Sequence, residues 1–360
     1  MTPTLLSAPV DDSELLRQAE SWRRTGLGVA VATVVETFGS APRPAGSLLV
    51  VEEGGLFCGS VSAGCVEGDV IAAALDCIAD GAPRFLEFGV ADETAWRAGL
   101  SCGGRIAVHV ERLDEARRAL FAQIGAETAA RRPCALLMPL DGGPARLLKA
   151  AELASASPDD PLGGMLRAGA SGLVESAGAR LFVRFFRPAP RLVLVGAVHV
   201  AQALAPMAQI AGFAVTILDP RGAYAAPERF PHARLDPRWP EEALPEIGLD
   251  VYTAVATLTH DARIDDPALR LALASDCFYV GALGSRATHA RRLERLSASG
   301  AGPAALDRLR APIGLDIAAV SPAEIAVSIL AELILARGRK PLRSLKAQDL
   351  AGRPFASCGA

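Results

Sequence analysis

The stretch Val193-Leu194-Val195-Gly196-Ala197-Val198-His199-Val200-Ala201 decides the fold of the second half of the chain. Three apolar residues read as a buried strand, Gly196 as a turn, and Ala201 as the small residue that lets a following helix pack on the strand. The spacing approaches the G-x-G-x-x-A turn of dinucleotide-binding strands, in which the second glycine lets a pyrophosphate approach the backbone. Gly196 and Ala201 fill the first and third roles. Val198 fills the second, and its branched side chain is expected to crowd a pyrophosphate, so the turn reads equally as one that binds no dinucleotide. Asp219 stands 23 residues after Gly196, at the end of the next apolar run, well placed for a ribose hydroxyl. The helix that starts here presents unpaired N–H groups to an anion, with His199 at its start as a ligand contact, a packing residue or a cap.

Outward from this turn the chain alternates. Strands are expected at 192–195, 214–218, 251–258 and 278–283, and helices over 200–211, 267–274 and 286–296. Such near-continuous apolar strands separated by helices predict a parallel sheet covered on both faces, a Rossmann-like domain. Ligands bind such sheets at the carboxyl ends of the strands. Thr259-His260-Asp261 and Gly284-Ser285-Arg286 both fall there and would face one crevice. His260 and Asp261 suit the positioning of a proton or a polar ligand and Arg286 the clamping of a phosphate; the competing readings are a turn cap for Asp261 and a surface ion pair for Arg286. Ser321-Pro322-Ala323-Glu324 is a capping-box start for a last helix that stops near Gly338.

Upstream, Arg187-Pro188-Ala189-Pro190 is the best linker, since proline donates no hydrogen bond and restricts the residue before it. It divides the chain into domains 1–187 and 188–360. The first half carries strand signals at 28–36, 47–51, 84–88, 105–110 and 181–185 and one helix over 66–79, with 150–169 expected to be irregular. The fold class is therefore α/β, an N-terminal α+β domain followed by a Rossmann-like parallel-sheet domain.

Seven cysteines at widely spaced positions, with no Cys-x-x-Cys pair, argue for reduced thiols and against a structural zinc site. Cys58, Cys77, Cys134 and Cys277 lie in apolar strand or helix contexts and Cys358 in the tail. Cys65, after Gly64 and before a helix, and Cys102, before Gly103-Gly104, stand apart as reachable thiols. A helix start favours a thiolate at Cys65, while Glu67 and Asp69 in the same turn oppose it. With 37 basic and 40 acidic residues and a net charge of -3, the chain offers no broad attraction for nucleic acid. Lysine occurs only at positions 149, 340 and 346, so an anion held by a side chain is expected on arginine. No apolar run is long enough to span a membrane, and Met-Thr-Pro followed by Asp11-Asp12 is no secretion signal, so a cytoplasmic protein is expected.

Assembled, Gly39-Ser40-Ala41-Pro42-Arg43 with Gly46, the run Gly59-Ser60-Val61-Ser62-Ala63-Gly64-Cys65-Val66-Glu67, and Cys102-Gly103-Gly104 resemble the N-terminal domain of the XdhC/CoxI family. The second half is similar to the family's Rossmann domain in the Gly196 turn, Thr259-His260-Asp261, residues 281–286, Pro312-Ile313-Gly314-Leu315-Asp316 and the capping box at Ser321. Val198 and Ala63 stand where the family usually has glycine. The resemblance implies an accessory protein for a molybdenum hydroxylase such as xanthine dehydrogenase. Such a protein binds molybdenum cofactor in its molybdopterin form, assists its sulfuration beside a cysteine desulfurase, and inserts it into the apo-enzyme. Cys65 and Cys102 would then meet the molybdenum or sulfur end. Gly196, His199, Asp219, His260, Asp261 and Arg286 would meet the pterin phosphate or a nucleotide such as NAD(P). A homodimer and a maturation factor rather than a catalyst are expected. The rival readings are an NAD(P)-binding oxidoreductase with His260 as proton donor, a sulfurtransferase carrying a persulfide on Cys65 or Cys102, and a scaffold that only docks partner proteins.

Overall fold

The computed structural model describes residues 12–38, 43–89, 105–140, 143–222 and 224–338. The chain divides into two compact units, Met1–Pro188 and Ala189–Ala360.

In the first unit the strands β1 (Val29–Phe38), β2 (Leu48–Glu52), β3 (Phe57–Gly59), β4 (Arg84–Phe88) and β5 (Arg105–Arg112) form an antiparallel sheet in the order β3-β2-β1-β5-β4. Its central strand β1 is buried on both faces from Val29 to Val35, because alternate residues feed different cores. Ala30, Ala32 and Val34 pack with Val70, Ala74 and Cys77 of a helix, Glu67–Asp80. Val29, Val31 and Val35 pack the other way, toward the helices α1 (Asp12–Arg24) and Glu115–Ala129 and a second antiparallel sheet. We number the Glu67–Asp80 helix α2 and the Glu115–Ala129 helix α3. The second sheet has the order β7-β6-β9-β8, from β6 (Cys134–Pro139), β7 (Arg146–Leu148), β8 (Gly172–Ser176) and β9 (Ala179–Phe186).

Residues 150–169, expected to be irregular, instead hold α4 (Ala150–Ser155) and α5 (Pro161–Ala168). Both are too short to show a helical period in sequence, and their signals are at the ends. Asp160 caps α5 through the amide of Gly163 at 2.9 Å, Pro161 takes its first position, and Gly169 ends it in a left-handed conformation.

The second unit is a parallel six-stranded sheet. Its strands are β10 (Arg191–Val195), β11 (Ala214–Leu218), β12 (Arg234–Asp236), β13 (Thr253–Thr257), β14 (Tyr279–Ala282) and β15 (Leu309–Arg310). They lie in the order β12-β11-β10-β13-β14-β15. Counted within the unit this is 3-2-1-4-5-6, the doubly wound order whose reversal between first and fourth strands opens a ligand crevice. The helices are α6 (His199–Ile210), α7 (Pro240–Ile247), α8 (Ala262–Leu273), α9 (Arg286–Ala298), α10 (Pro303–Leu306) and α11 (Pro322–Arg337). Leu192 and Leu194 enter a core with α6 and α11, while Val193 and Val195 enter one with α7, α8 and α9. A strand clad on both faces has no polar side to show, which is why it reads as continuous apolar sequence.

The helix expected over 267–274 begins five residues earlier, at Ala262, and carries Pro267 in its interior. Its start is set by Asp261, whose carboxylate accepts from the amide of Arg263 at 2.9 Å. The capping box at Ser321 and Glu324 is formed as expected. No helix among the described residues is long and apolar enough to cross a membrane.

Candidate functional site

Cys65 sits half-buried on the loop between β3 and α2, and the loop is wound around one carboxylate. Glu67 accepts from the hydroxyl of Ser60 at 2.7 Å, the amides of Val61 at 3.2 Å and Ser62 at 2.9 Å, the Ser62 hydroxyl, and the amide of Gly64 at 2.8 Å. Burial by itself would raise the Glu67 pKa, but the hydrogen bonds from Ser62 and Ser60 outweigh it and hold it at about 2. The Ser62 hydroxyl in turn accepts from the amides of Cys65 at 3.0 Å and Val66 at 2.9 Å, so Glu67 positions the thiol-bearing backbone through Ser62. Arg43 adds a hydrogen bond from Nε to the Ser60 carbonyl at 3.3 Å. Gly59 has no alternative at the loop's entry, because a Cβ there would run into the Leu48 carbonyl oxygen. Ala63 holds a left-handed φ of 62°, a conformation that suits glycine better.

The position of Glu67 beside Cys65 is plain in the sequence, but its role is not. As a carboxylate in a first helical turn it reads as a charge opposing a thiolate; in the structure its charge is absorbed by five donors of its own loop. The trace that could have pointed to this is the pair of serines upstream of it. Burial pushes the thiols of Cys58 and Cys134 up to about 11, and raises those of Cys77 and Cys277. Cys102 and Cys358 lie outside the described residues.

In the second unit, Gly196 has φ 115°, and a Cβ there would lie 2.6 Å from Thr259 Cγ2 and 3.1 Å from its amide. The glycine therefore lets the turns after β10 and β13 touch. Asp219 is fully buried. One oxygen accepts from the amide of Ala197 and from an Arg221 guanidinium nitrogen, both at 2.8 Å; the other accepts from Arg221 N at 3.0 Å and Nε at 2.9 Å. Burial would raise its pKa, and these donors from Arg221 and Ala197 bring it below the ordinary value. Its carboxylate thus ties the first turn of the sheet to the second, with both oxygens committed to protein donors. Asp261 caps α8, and its pairing with Arg263 holds it at about 2.

His199, His260 and Arg286 are exposed at the carboxyl ends of β10, β13 and β14, three neighbouring strands. His199 and Arg286 occupy the first positions of α6 and α9. Val198 precedes α6 without capping it by its side chain and packs partly against the core. Beneath this edge is a buried group, Thr259, Asp265 and Arg292, each at most 2% exposed, of which sequence reasoning picks out Thr259 and passes over the other two. Among the described residues no group of three His, Cys, Asp or Glu side chains could hold a metal ion.

The first unit thus carries a thiol on a preorganised strand-to-helix loop, and the second an arginine and two histidines at the carboxyl edge of a doubly wound sheet. Residues 22–89 match the XdhC and CoxI family and residues 192–333 the XdhC Rossmann domain. The chain belongs to the XdhC and CoxI family. It is 30% identical over 315 residues to a probable xanthine dehydrogenase subunit of Bacillus subtilis (strain 168), covering 86% of this chain and 93% of that one. It is 31% identical over 328 residues to the molybdenum cofactor insertion chaperone PaoD of Escherichia coli (strain K12), covering 91% of this chain and 89% of that one. The fold matches a crystal structure from Bacillus halodurans described as a xanthine dehydrogenase. The TM-score is 0.71 at 24% identity, over 90% of this chain and 96% of that one.

Proposed function

We propose that this protein is an accessory factor that takes molybdenum cofactor, in its molybdopterin form, as cargo and delivers it to a molybdenum hydroxylase apo-enzyme such as xanthine dehydrogenase. The observation that carries the reading is the Cys65 loop. A thiol on a backbone held by an internal carboxylate is a prepared soft ligand, and molybdenum and its terminal sulfur are soft partners. The relative at 31% identity carries the name of a molybdenum cofactor insertion chaperone, which supports the same cargo. In the second unit, a phosphate such as the cofactor carries suits the starts of α6 and α9 with Arg286. His199 and His260 flank that anion; Asp219, Asp261 and Gly196 shape the turns that present it. Cys102 is the second thiol of this reading. A cysteine desulfurase would supply the sulfur during sulfuration.

The test is the molybdenum and pterin content of the protein purified from a cofactor-replete host. Wild type is expected to carry both, Cys65→Ser to lose at least ten times as much molybdenum as it retains, and Arg286→Ala to lose pterin. A wild-type protein that carries neither and shows no saturable binding on reconstitution sinks the proposal. A nucleotide at the same edge is the second reading, favoured by the 3-2-1-4-5-6 strand order. Titration with NADPH separates the two, because Val198 and the committed oxygens of Asp219 leave a dinucleotide little to hold.

A further inference from the structure

In the first unit a cavity of about 470 Å³ opens beside the C-terminal end of α2. That volume is in the range of small-molecule pockets, about 300–1,000 Å³. The 14 residues of α2, at a rise of about 1.5 Å each, put the cavity about 20 Å from the Cys65 loop at the other end of the helix. Leu75, Ile78 and Ala79 from the last turns of α2 give it an apolar wall. Three charged residues line it as well, Arg23 near the end of α1, Glu53 just after β2, and Arg112 at the end of β5.

The local sequence builds this arrangement around Gly28. A Cβ on Gly28 would lie 2.5 Å from Ile78 Cγ2 and 2.9 Å from Glu53 Oε2, so a glycine is what lets α2 and the turn after β2 close on the start of β1. The Gly28 amide donates to Glu53 Oε2 at 2.7 Å, which fixes the carboxylate and leaves Oε1 without a protein donor among the described residues. Arg23 is anchored by a terminal nitrogen that donates to the Leu27 carbonyl at 3.0 Å. Its Nε is buried and has no hydrogen-bond partner among the described residues. A terminal nitrogen of Arg112 lies 3.9 Å from where a side chain on Gly81, the residue that ends α2, would begin. Among the described residues none of the three charges forms an ion pair.

Two positive groups and one negative group thus share one cavity without neutralising one another. A ligand that is only an anion gains from the arginines and is repelled by Glu53, and a ligand that is only a cation meets two guanidiniums. A molecule that carries both charges satisfies all three. Its carboxylate accepts from guanidinium groups, whose planar forks suit it. Its ammonium donates to Glu53 Oε1 and lies toward the C-terminal carbonyls of α2, where the helix dipole favours a cation. The wall of Leu75 and Ile78, both only partly buried, rewards an apolar side chain.

We propose that this cavity binds a small zwitterion, a free α-amino acid with an apolar side chain. The carboxylate rests on Arg23 and Arg112, the ammonium on Glu53, and the side chain on Leu75 and Ile78. Binding is non-covalent, and the site shares no residue with the Cys65 loop or with the edge of the parallel sheet. It therefore stands independently of the cofactor cargo.

The experiment is isothermal titration calorimetry at neutral pH on the full chain, purified from a host that makes no molybdenum cofactor. Three probes are compared: L-leucine; isocaproate, which is leucine without its ammonium; and isoamylamine, which is leucine without its carboxylate. Leucine is expected to saturate below about 10 mM, isocaproate to bind about tenfold or more weakly, and isoamylamine to show no binding in that range. Glu53→Gln, which keeps an oxygen for the Gly28 amide, is expected to bring leucine down to the affinity of isocaproate. Arg112→Gln is expected to weaken both ligands by about tenfold or more, with an unchanged far-ultraviolet spectrum. Saturation-transfer NMR on wild type needs no variant, and its strongest transfer is expected at the leucine methyls. Equal binding of leucine and isocaproate, isoamylamine binding as tightly as leucine, affinity indifferent to both substitutions, or no saturable binding of leucine overturns the site. None of these outcomes bears on the cofactor reading, which stands or falls on molybdenum and pterin content.

Discussion

Glu67 shows how a single carboxylate builds a site without touching a ligand. Its five hydrogen bonds draw the amides of Val61, Ser62 and Gly64 inward, leaving Cys65 on the outer turn. Its pKa is depressed to about 2, so the stability it contributes is fully present above the ordinary value of 4.5 and is lost as pH falls toward 2. A shift of that size corresponds to something on the order of 3 kcal/mol. Glu67→Gln is therefore expected to unfold at lower urea than wild type at pH 7, with the gap narrowing as the pH of the experiment is taken from 5 to 3. Equal gaps at both ends would show that the charge is irrelevant. The same loop separates the cysteines by reactivity. Alkylation of the native protein at pH 8 is expected to modify Cys65 well before Cys58, Cys77, Cys134 or Cys277, whose thiols burial pushes up. Peptide mass mapping over a time course reads the order. Ala63 carries the remaining local cost, and Ala63→Gly is expected to raise the melting temperature, by relief of about 1 kcal/mol at its left-handed φ of 62°.

At the scale of elements, β10 and the turn after it do the organising. Gly196 is needed because the turn after β13 passes within a bond length or two of where a side chain would begin. Gly196→Ala should cost about 1–3 kcal/mol by overpacking and strain, measured as a shift in the urea midpoint, and should also loosen the Thr259 turn that leans on it. The glycine is legible in the sequence, but its reason is not. A strand followed by Gly-x-x-x-x-Ala suggests a phosphate, whereas the contact that excludes a side chain comes from Thr259, 63 residues further on. The strands of the parallel sheet are legible for a general reason, since burial on both faces leaves only apolar choices. Helix ends are legible where a cap is strong, as at Ser321 and Glu324, and missed where a proline distracts, as at Pro267, five residues inside α8. Asp265 and Arg292 are hidden for the opposite reason. Polar residues on a helix read as its wet face, and only the packing of α8 against α9 and β13 takes them out of water.

The whole molecule divides as cleanly in its cores as in its chain. The buried clusters of the first unit draw on residues up to Phe186, and those of the second begin at Leu192. Between them lies Arg187-Pro188-Ala189-Pro190, where two prolines and the residues they restrict cannot extend a strand or helix across the boundary. A unit with a complete core on either face of its own sheet has what a domain needs to fold alone. Residues 189–360 expressed by themselves should therefore unfold cooperatively in urea, with a far-ultraviolet spectrum of mixed helix and strand and with coincident transitions by circular dichroism and by tyrosine and tryptophan fluorescence. The thiol loop and the ligand edge would then be separable in function as well. The isolated second unit should bind no molybdenum, because Cys65 lies in the other unit. A fragment that unfolds without cooperativity would mean that the second unit does not fold by itself.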